Sequence, residues 1–391
     1  MHDASAPFPE PDFAALRERA FNLRWATTDP GVIPLTAADP DLPVAPAVTR
    51  AIADYIARPH LSYGPACGLP AFRRSVSEHF AREKSASIAP SRVIATNSAA
   101  SAITLAARHL LRAGDEVVVQ DPVDFLVTES ARRAGAELRL WRPEAGRYTL
   151  DGLRSAVTSR TKLISVCHPH NPLGTLWSPA EVDAVAAFAR ERGVAILSDE
   201  VWSDVVLDGA AFASFAGGAH PAWTVYGLSK GFALAGLRIG AVIAPDAAAA
   251  DEFARAQGFE HTIEGVSTLS QVAAVAALDE AGEWHSRLLA HCASQRDRAI
   301  ARLGRLAGVR VPSAPQATFV LFVDIRGTGL GEDSIAERIE RVARVRVVPG
   351  SPRWFGSGAA GHVRLSLATT EAVLDEALSR IERAWPAIIV R

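Results

Sequence analysis

Between residues 92 and 197 short apolar runs alternate with segments of helical spacing. The runs at 92–96, 116–120, 138–141, 162–167 and 194–197 read as strands, and 99–112, 123–134 and 179–192 read as helices. Strands this uniformly apolar belong to a sheet covered on both faces, and helical links between them make that sheet mainly parallel. Two more runs, 223–226 and 239–244, flank a break at Gly227 and extend the pattern. From 244 to about 306 the spacing is helical. The tail mixes strands (318–324, 344–348, 362–367) with helices (334–343, 371–385). The expectation is an α/β fold: a large domain over 46–289 with helices on both faces of its sheet, and a smaller α+β domain formed by 1–45 and 290–391.

With 391 residues, 49% of them hydrophobic, the chain can bury a large core. A net charge of −2 and a pI near 6.6 give no electrostatic footprint for nucleic acid or a membrane surface. No apolar run approaches a membrane span, and Met1–Glu10 lacks the basic and apolar regions of a signal peptide. Three scattered cysteines (Cys67, Cys167, Cys292) cannot form a disulfide framework. These features fit a soluble protein of the reducing cytoplasm.

Amine chemistry narrows to a few positions. Of 41 Lys plus Arg only three are lysines (Lys84, Lys162, Lys230), so 41 − 3 = 38 are arginines, which stay protonated. Lys84 lies at a charged helix end and Lys162 in a polar lead-in to a strand, and both read as solvated charges. Lys230 follows the apolar run 223–226 and Gly227-Leu-Ser, ahead of a short helix and the next apolar run. Desolvation there lowers an ammonium's pKa and makes the lysine a nucleophile able to form a Schiff base.

Other polar groups sit where strands end, the edge at which α/β sheets bind ligands. Thr96-Asn-Ser-Ala-Ala-Ser101 opens a helix whose free N–H groups suit a phosphate, although small residues there are also ordinary caps. Ser165-Val-Cys-His-Pro-His-Asn-Pro-Leu-Gly174 holds Asn171 between two prolines. Its Cys167, His168 and His170 lack a second cluster to complete a metal site, so no metal is expected. Asp199 directly follows an apolar strand, as a helix cap or as a carboxylate that keeps a ring nitrogen protonated. Gly327-Thr-Gly-Leu-Gly331 lacks the spacing of a dinucleotide loop and reads as a turn.

Taken together, these elements resemble the fold-type I pyridoxal-phosphate (PLP) enzymes of the aminotransferase class I/II family, over about residues 20–385. Ser229-Lys-Gly-Phe-Ala-Leu-Ala-Gly-Leu-Arg-Ile-Gly240 is similar to the family's cofactor-lysine signature. The resemblance implies that Lys230 carries the cofactor, that Ser229 and Arg238 hold its phosphate with Ser98, Ala99 and Ala100, and that Asn171 bonds the ring oxygen. It implies that Asp199 pairs with the ring nitrogen and Arg364 grips the substrate α-carboxylate. Tyr63 would reach the phosphate of a neighbouring subunit, which implies a homodimer with shared sites. Ala38-Asp-Pro-Asp-Leu42 and the loop from Pro169 are similar to the cystathionine β-lyase-like carbon–sulfur lyase branch.

Two positions depart from the family pattern. Asp121-Pro-Val-Asp-Phe125 puts Asp124 where an aromatic residue usually stacks on the cofactor, so either Phe125 takes that place or Asp124 faces cofactor and substrate. Trp202 stands where many aminotransferases have a tyrosine, and it donates but does not accept a hydrogen bond. Cys67, near Tyr63, reads as a buried reduced thiol. The expected chemistry is an external aldimine with an amino acid, then α-proton abstraction by Lys230. Carbon–sulfur β-elimination ranks first as its outcome and amino transfer to a 2-oxo acid second. A specialised biosynthetic enzyme of the same fold and a non-catalytic cofactor-binding regulator rank lower.

Overall fold

The computed structural model describes residues 8–311 and 314–390. Residues 1–7, part of the expected N-terminal arm, lie outside them. In chain order the strands are β1 (Ile33–Pro34), β2 (Val93–Thr96), β3 (Glu116–Gln120), β4 (Glu137–Trp141), β5 (Thr161–Cys167), β6 (Ala195–Asp199) and β7 (Trp223–Gly227). There follow β8 (Gly240–Ile243), β9 (Val320–Asp324), β10 (Val345–Arg346), β11 (Val348–Pro349) and β12 (His362–Ser366).

Seven strands form the main sheet in the order β2-β8-β7-β6-β5-β3-β4. The pairs β7/β6, β6/β5, β5/β3 and β3/β4 are parallel, and only β8 runs against its neighbours β2 and β7. The apolar runs before and after Lys230 are therefore adjacent antiparallel strands, and the segment between them crosses one end of the sheet. Helices Ala99–Leu110, Phe125–Arg133 and Pro179–Glu191 follow the strands nearly where their spacing places them. Every residue of β2, β3, β7 and β8 is buried, as expected for strands covered on both faces.

A smaller antiparallel sheet, β11-β12-β9, packs with the helix Glu371–Ile389 around a second apolar core that includes Leu321, Val323, Leu365, Leu374 and Trp385. The N-terminal segment joins this unit, because β1 pairs with β10. The helix expected over 334–343 occurs as Glu332–Arg338 followed by a wider turn, Ile339–Ala343, that ends at Arg344 in left-handed conformation. The strand expected over 344–348 is split at Val347 into two short pairings with different partners. Helix Leu150–Ala156 has no counterpart in the sequence reading. Among the described residues no helix is long and apolar enough to cross a membrane.

Candidate active site

The C-terminal ends of β5, β6 and β7 open into a cavity of about 630 Å³. Its lining brings together Lys230, Ser229, Asp199, Asn171, Arg238, Ser98, Ala99, Ala100, Asp124, Phe125, Trp202 and Arg364. Tyr63 is not among the lining residues; it is 94% exposed. Cys67 is half-buried and also lies outside the lining.

Lys230 emerges three residues after β7. Its Nζ donates to Ala38 O at 2.6 Å and sits 5.5 Å from the centre of the Trp202 ring. Burial lowers the ammonium's pKa, opposed by the carboxylates of Asp39 and Asp124. Asp199 ends β6, and its Oδ1 accepts from Val201 N at 3.1 Å. Burial pushes it up to about 7, and the nearby Asp124 charge adds to that. A cation placed against Asp199 would restore its ionised form.

Ser98 takes the N-cap of helix Ala99–Leu110 at φ 124°, and Arg238 Nη2 donates to its Oγ at 2.9 Å. Beside this cap Gly240 begins β8. A Cβ there would lie 2.7 Å from both Ala99 N and Ser98 C, so the close approach of two backbones needs a glycine. Asn171 lies in a loop closed by Gly174 N donating to His170 O at 2.7 Å. Its Nδ2 donates to Asp124 Oδ2 at 2.9 Å, and its Oδ1 accepts from Arg364 Nη1 at 3.3 Å. Arg364, on β12, also donates from Nη2 to Thr36 O at 3.0 Å. Its buried Nε has no hydrogen-bond partner, and burial lowers its pKa to about 10. Such a guanidinium awaits an anion.

Six positions correct or extend the sequence reading. Lys84 is not solvated: it is 1% exposed, and its Nζ donates to Asp204 Oδ1 at 2.6 Å and Ser203 O at 2.8 Å. Burial alone therefore does not single out Lys230; facing the cavity does. His168 and His170 are buried among aromatic rings, with His168 stacked on Phe212 (4.9 Å) and Trp177 (5.4 Å). Burial lowers their pKa values to about 4 and about 3. Trp354, Phe355 and Leu23 line the cavity without having been anticipated. The signal for the first two is the glycine set around them: Gly350, Gly356 and Gly358 each approach another backbone or Asp121 within 2.7 Å of where a Cβ would stand.

A sequence model of the family described as aminotransferase class I and II matches residues 30–381. The chain belongs to that family. Membership makes it a PLP-dependent enzyme, and the residues present fit the cofactor. A lysine, a buried carboxylate, an amide and an arginine beside a helix N-terminus converge on one cavity. The aspartate/prephenate aminotransferase of Thermus thermophilus is 30% identical over 373 residues, 94% of each chain. The crystal structure of an aromatic aminotransferase from Pyrococcus horikoshii superposes with a TM-score of 0.84 at 27% identity, covering 92% of this chain and 97% of that one. A candidate PLP-dependent β-cystathionase from Corynebacterium diphtheriae gives 0.88 at 25% identity, covering 97% and 99%.

Proposed function

We propose that the protein is an aminotransferase that moves the amino group of an amino acid to a 2-oxo acid. The observation that carries this reading is the convergence of Lys230, Asp199 and Arg364 on one cavity. The names of the Thermus and Pyrococcus relatives favour amino transfer over the elimination ranked first from sequence.

The cofactor, when bound, supplies an electrophilic carbon for the amino group and an electron sink for the α-carbanion. Ser98, Ala99, Ala100, Ser229 and Arg238 are the residues to hold its phosphate, Asn171 its ring oxygen and Asp199 its ring nitrogen. Arg364 binds and orients the α-carboxylate of the substrate through the donors it turns into the cavity. Lys230 Nζ, its pKa lowered by burial, takes the α-proton and holds it for return to the cofactor side. Trp202 and Phe355 set aromatic surface beside Lys230 Nζ (5.5 Å) and the Arg364 guanidinium (5.0 Å).

A carbon–sulfur lyase is the second reading, favoured by the fold match to the Corynebacterium protein and by Trp202. A homodimer is also inferred. Tyr63 (94%), Leu61 (70%) and Ile56 (54%) leave an apolar surface exposed, as a site shared between two copies would need. The free thiols at Cys67, Cys167 and Cys292 suit a cytoplasmic location.

The test supplies the holoenzyme with an amino acid panel, cystathionine included, with and without a 2-oxo acid. Turnover that requires the oxo acid supports amino transfer. Pyruvate and thiol released without it would replace this reading by the lyase.

A further inference from the structure

Resting on the reading of Arg364 as the α-carboxylate grip, we propose that the substrate side chain is aromatic or bulky and apolar, recognised by Phe125, Trp354 and Phe355.

The wall beside Arg364 carries this assignment. The Arg364 guanidinium lies 5.0 Å from the centre of the Phe355 ring, so a carboxylate seated on it has an aromatic face alongside. The preceding residue, Trp354, meets Phe125 edge-to-face, with centroids 5.8 Å apart at 74°. Leu23 also lines the cavity. Phe125 is 38% exposed and Leu23 68%, which leaves apolar surface at the cavity for a ligand to cover. A third ring entering here finds the edge-to-face and offset contacts that aromatic groups favour.

The charges in the cavity argue against the alternatives. Its cationic lining residues are Lys230, Arg238, Arg346 and Arg364. The cofactor takes the first two and the α-carboxylate takes Arg364, so among the described residues of this chain a second carboxylate would need Arg346. That guanidinium is already occupied. Nε and Nη2 donate to Glu340 at 2.9 and 2.6 Å, and Nη1 to Thr27 O and Thr28 Oγ1 at 3.3 and 3.4 Å. Asp124 adds a negative charge that repels a dicarboxylate, and an uncompensated buried charge is costly. A cationic side chain would find Asp124 alone, since Asp199 belongs to the cofactor ring, and would have to share oxygens that already accept from Leu126 N at 3.0 Å and Asn171 Nδ2 at 2.9 Å.

The experiment titrates the holoenzyme with α-methylphenylalanine, α-methylaspartate and α-methylornithine, followed by calorimetry. None of these probes has an α-proton, so binding is read without turnover. The expected result is α-methylphenylalanine binding at least about a hundredfold tighter than the other two. Trp354→Ala should weaken it about tenfold, and Phe125→Ala, at an exposed position, serves if the tryptophan variant does not fold. Tighter binding of the aspartate or ornithine probe, or binding of none of the three, overturns the inference. Tight aromatic binding without any amino transfer removes the aminotransferase reading and leaves this one standing. Transfer from aspartate with weak aromatic binding does the reverse.

Discussion

Asn171 is held from both sides: its Nδ2 donates to Asp124 Oδ2 at 2.9 Å, while its Oδ1 accepts from Arg364 Nη1 at 3.3 Å. The Asn171 amide and the Arg364 guanidinium are thus one hydrogen-bonded unit in the cavity wall, and Asp124 fixes which way the amide points. Asp124 also caps helix Phe125–Arg133 through Leu126 N. Asp124→Ala should therefore cost about 1 kcal/mol of stability in denaturant unfolding. It should also weaken cofactor binding about tenfold in a fluorescence titration of the apoprotein, the loss of one charge-assisted hydrogen bond.

Asp199 gives a pH signature. Burial raises it from 3.8 to about 7 in the folded chain. The folded apoprotein then keeps a proton that the unfolded chain releases, so this group's stabilisation is full below pH 3.8 and is lost as pH rises through about 7. Asp199→Asn removes that dependence. Relative to the wild-type apoprotein it should gain about 4 kcal/mol between pH 4 and pH 8 in urea unfolding. The opposite trends of His168 and His170 are common to both proteins and cancel in the difference.

The ion pair behind the site tests a structural claim. Asp204 accepts from Lys84 at 2.6 Å, His79 Nε2 at 2.7 Å and Tyr226 OH at 2.7 Å, all of them buried. Lys84→Met alone should destabilise by about 3–5 kcal/mol, because it leaves a buried carboxylate short of its cation. The double change Lys84→Met with Asp204→Leu should recover a large part of that loss, read from denaturant midpoints.

These residues also mark where the sequence was and was not legible. Lys230, Asp199 and Asn171 stand at the end of apolar strands or within four residues of it, so the same local pattern that reveals the strands reveals the sheet edge they share. Arg364 and Arg238 came through the family resemblance. Lys84 was misread because its partner lies 120 positions away, at Asp204, and no local pattern reports that pairing. Trp354 and Phe355 form too short an apolar run, between prolines and glycines, to carry a period. The Arg346–Glu340 pair depends on a wide turn that helical spacing does not reveal. Side chains brought together by distant chain segments are decided by packing, and packing is invisible to periodicity.

The proposed phosphate cradle depends on backbone proximity. A Cβ at Gly240 would stand 2.7 Å from Ala99 N and 2.9 Å from Tyr226 O. Gly240→Ala should cost about 1–3 kcal/mol of stability. It should also raise the cofactor dissociation constant, measured by titrating the apoprotein, because the helix start carrying Ser98 must shift.

The most direct test of the central claim follows a ¹⁵N label from the amino donor to a 2-oxo acid acceptor in the wild-type holoenzyme and in Lys230→Ala. The account predicts label in the new amino acid with the wild type and a loss of roughly a thousandfold or more in the variant, as expected when a general base is removed. Label released as ammonia and not found in the new amino acid, or label transfer that survives in Lys230→Ala, would contradict it.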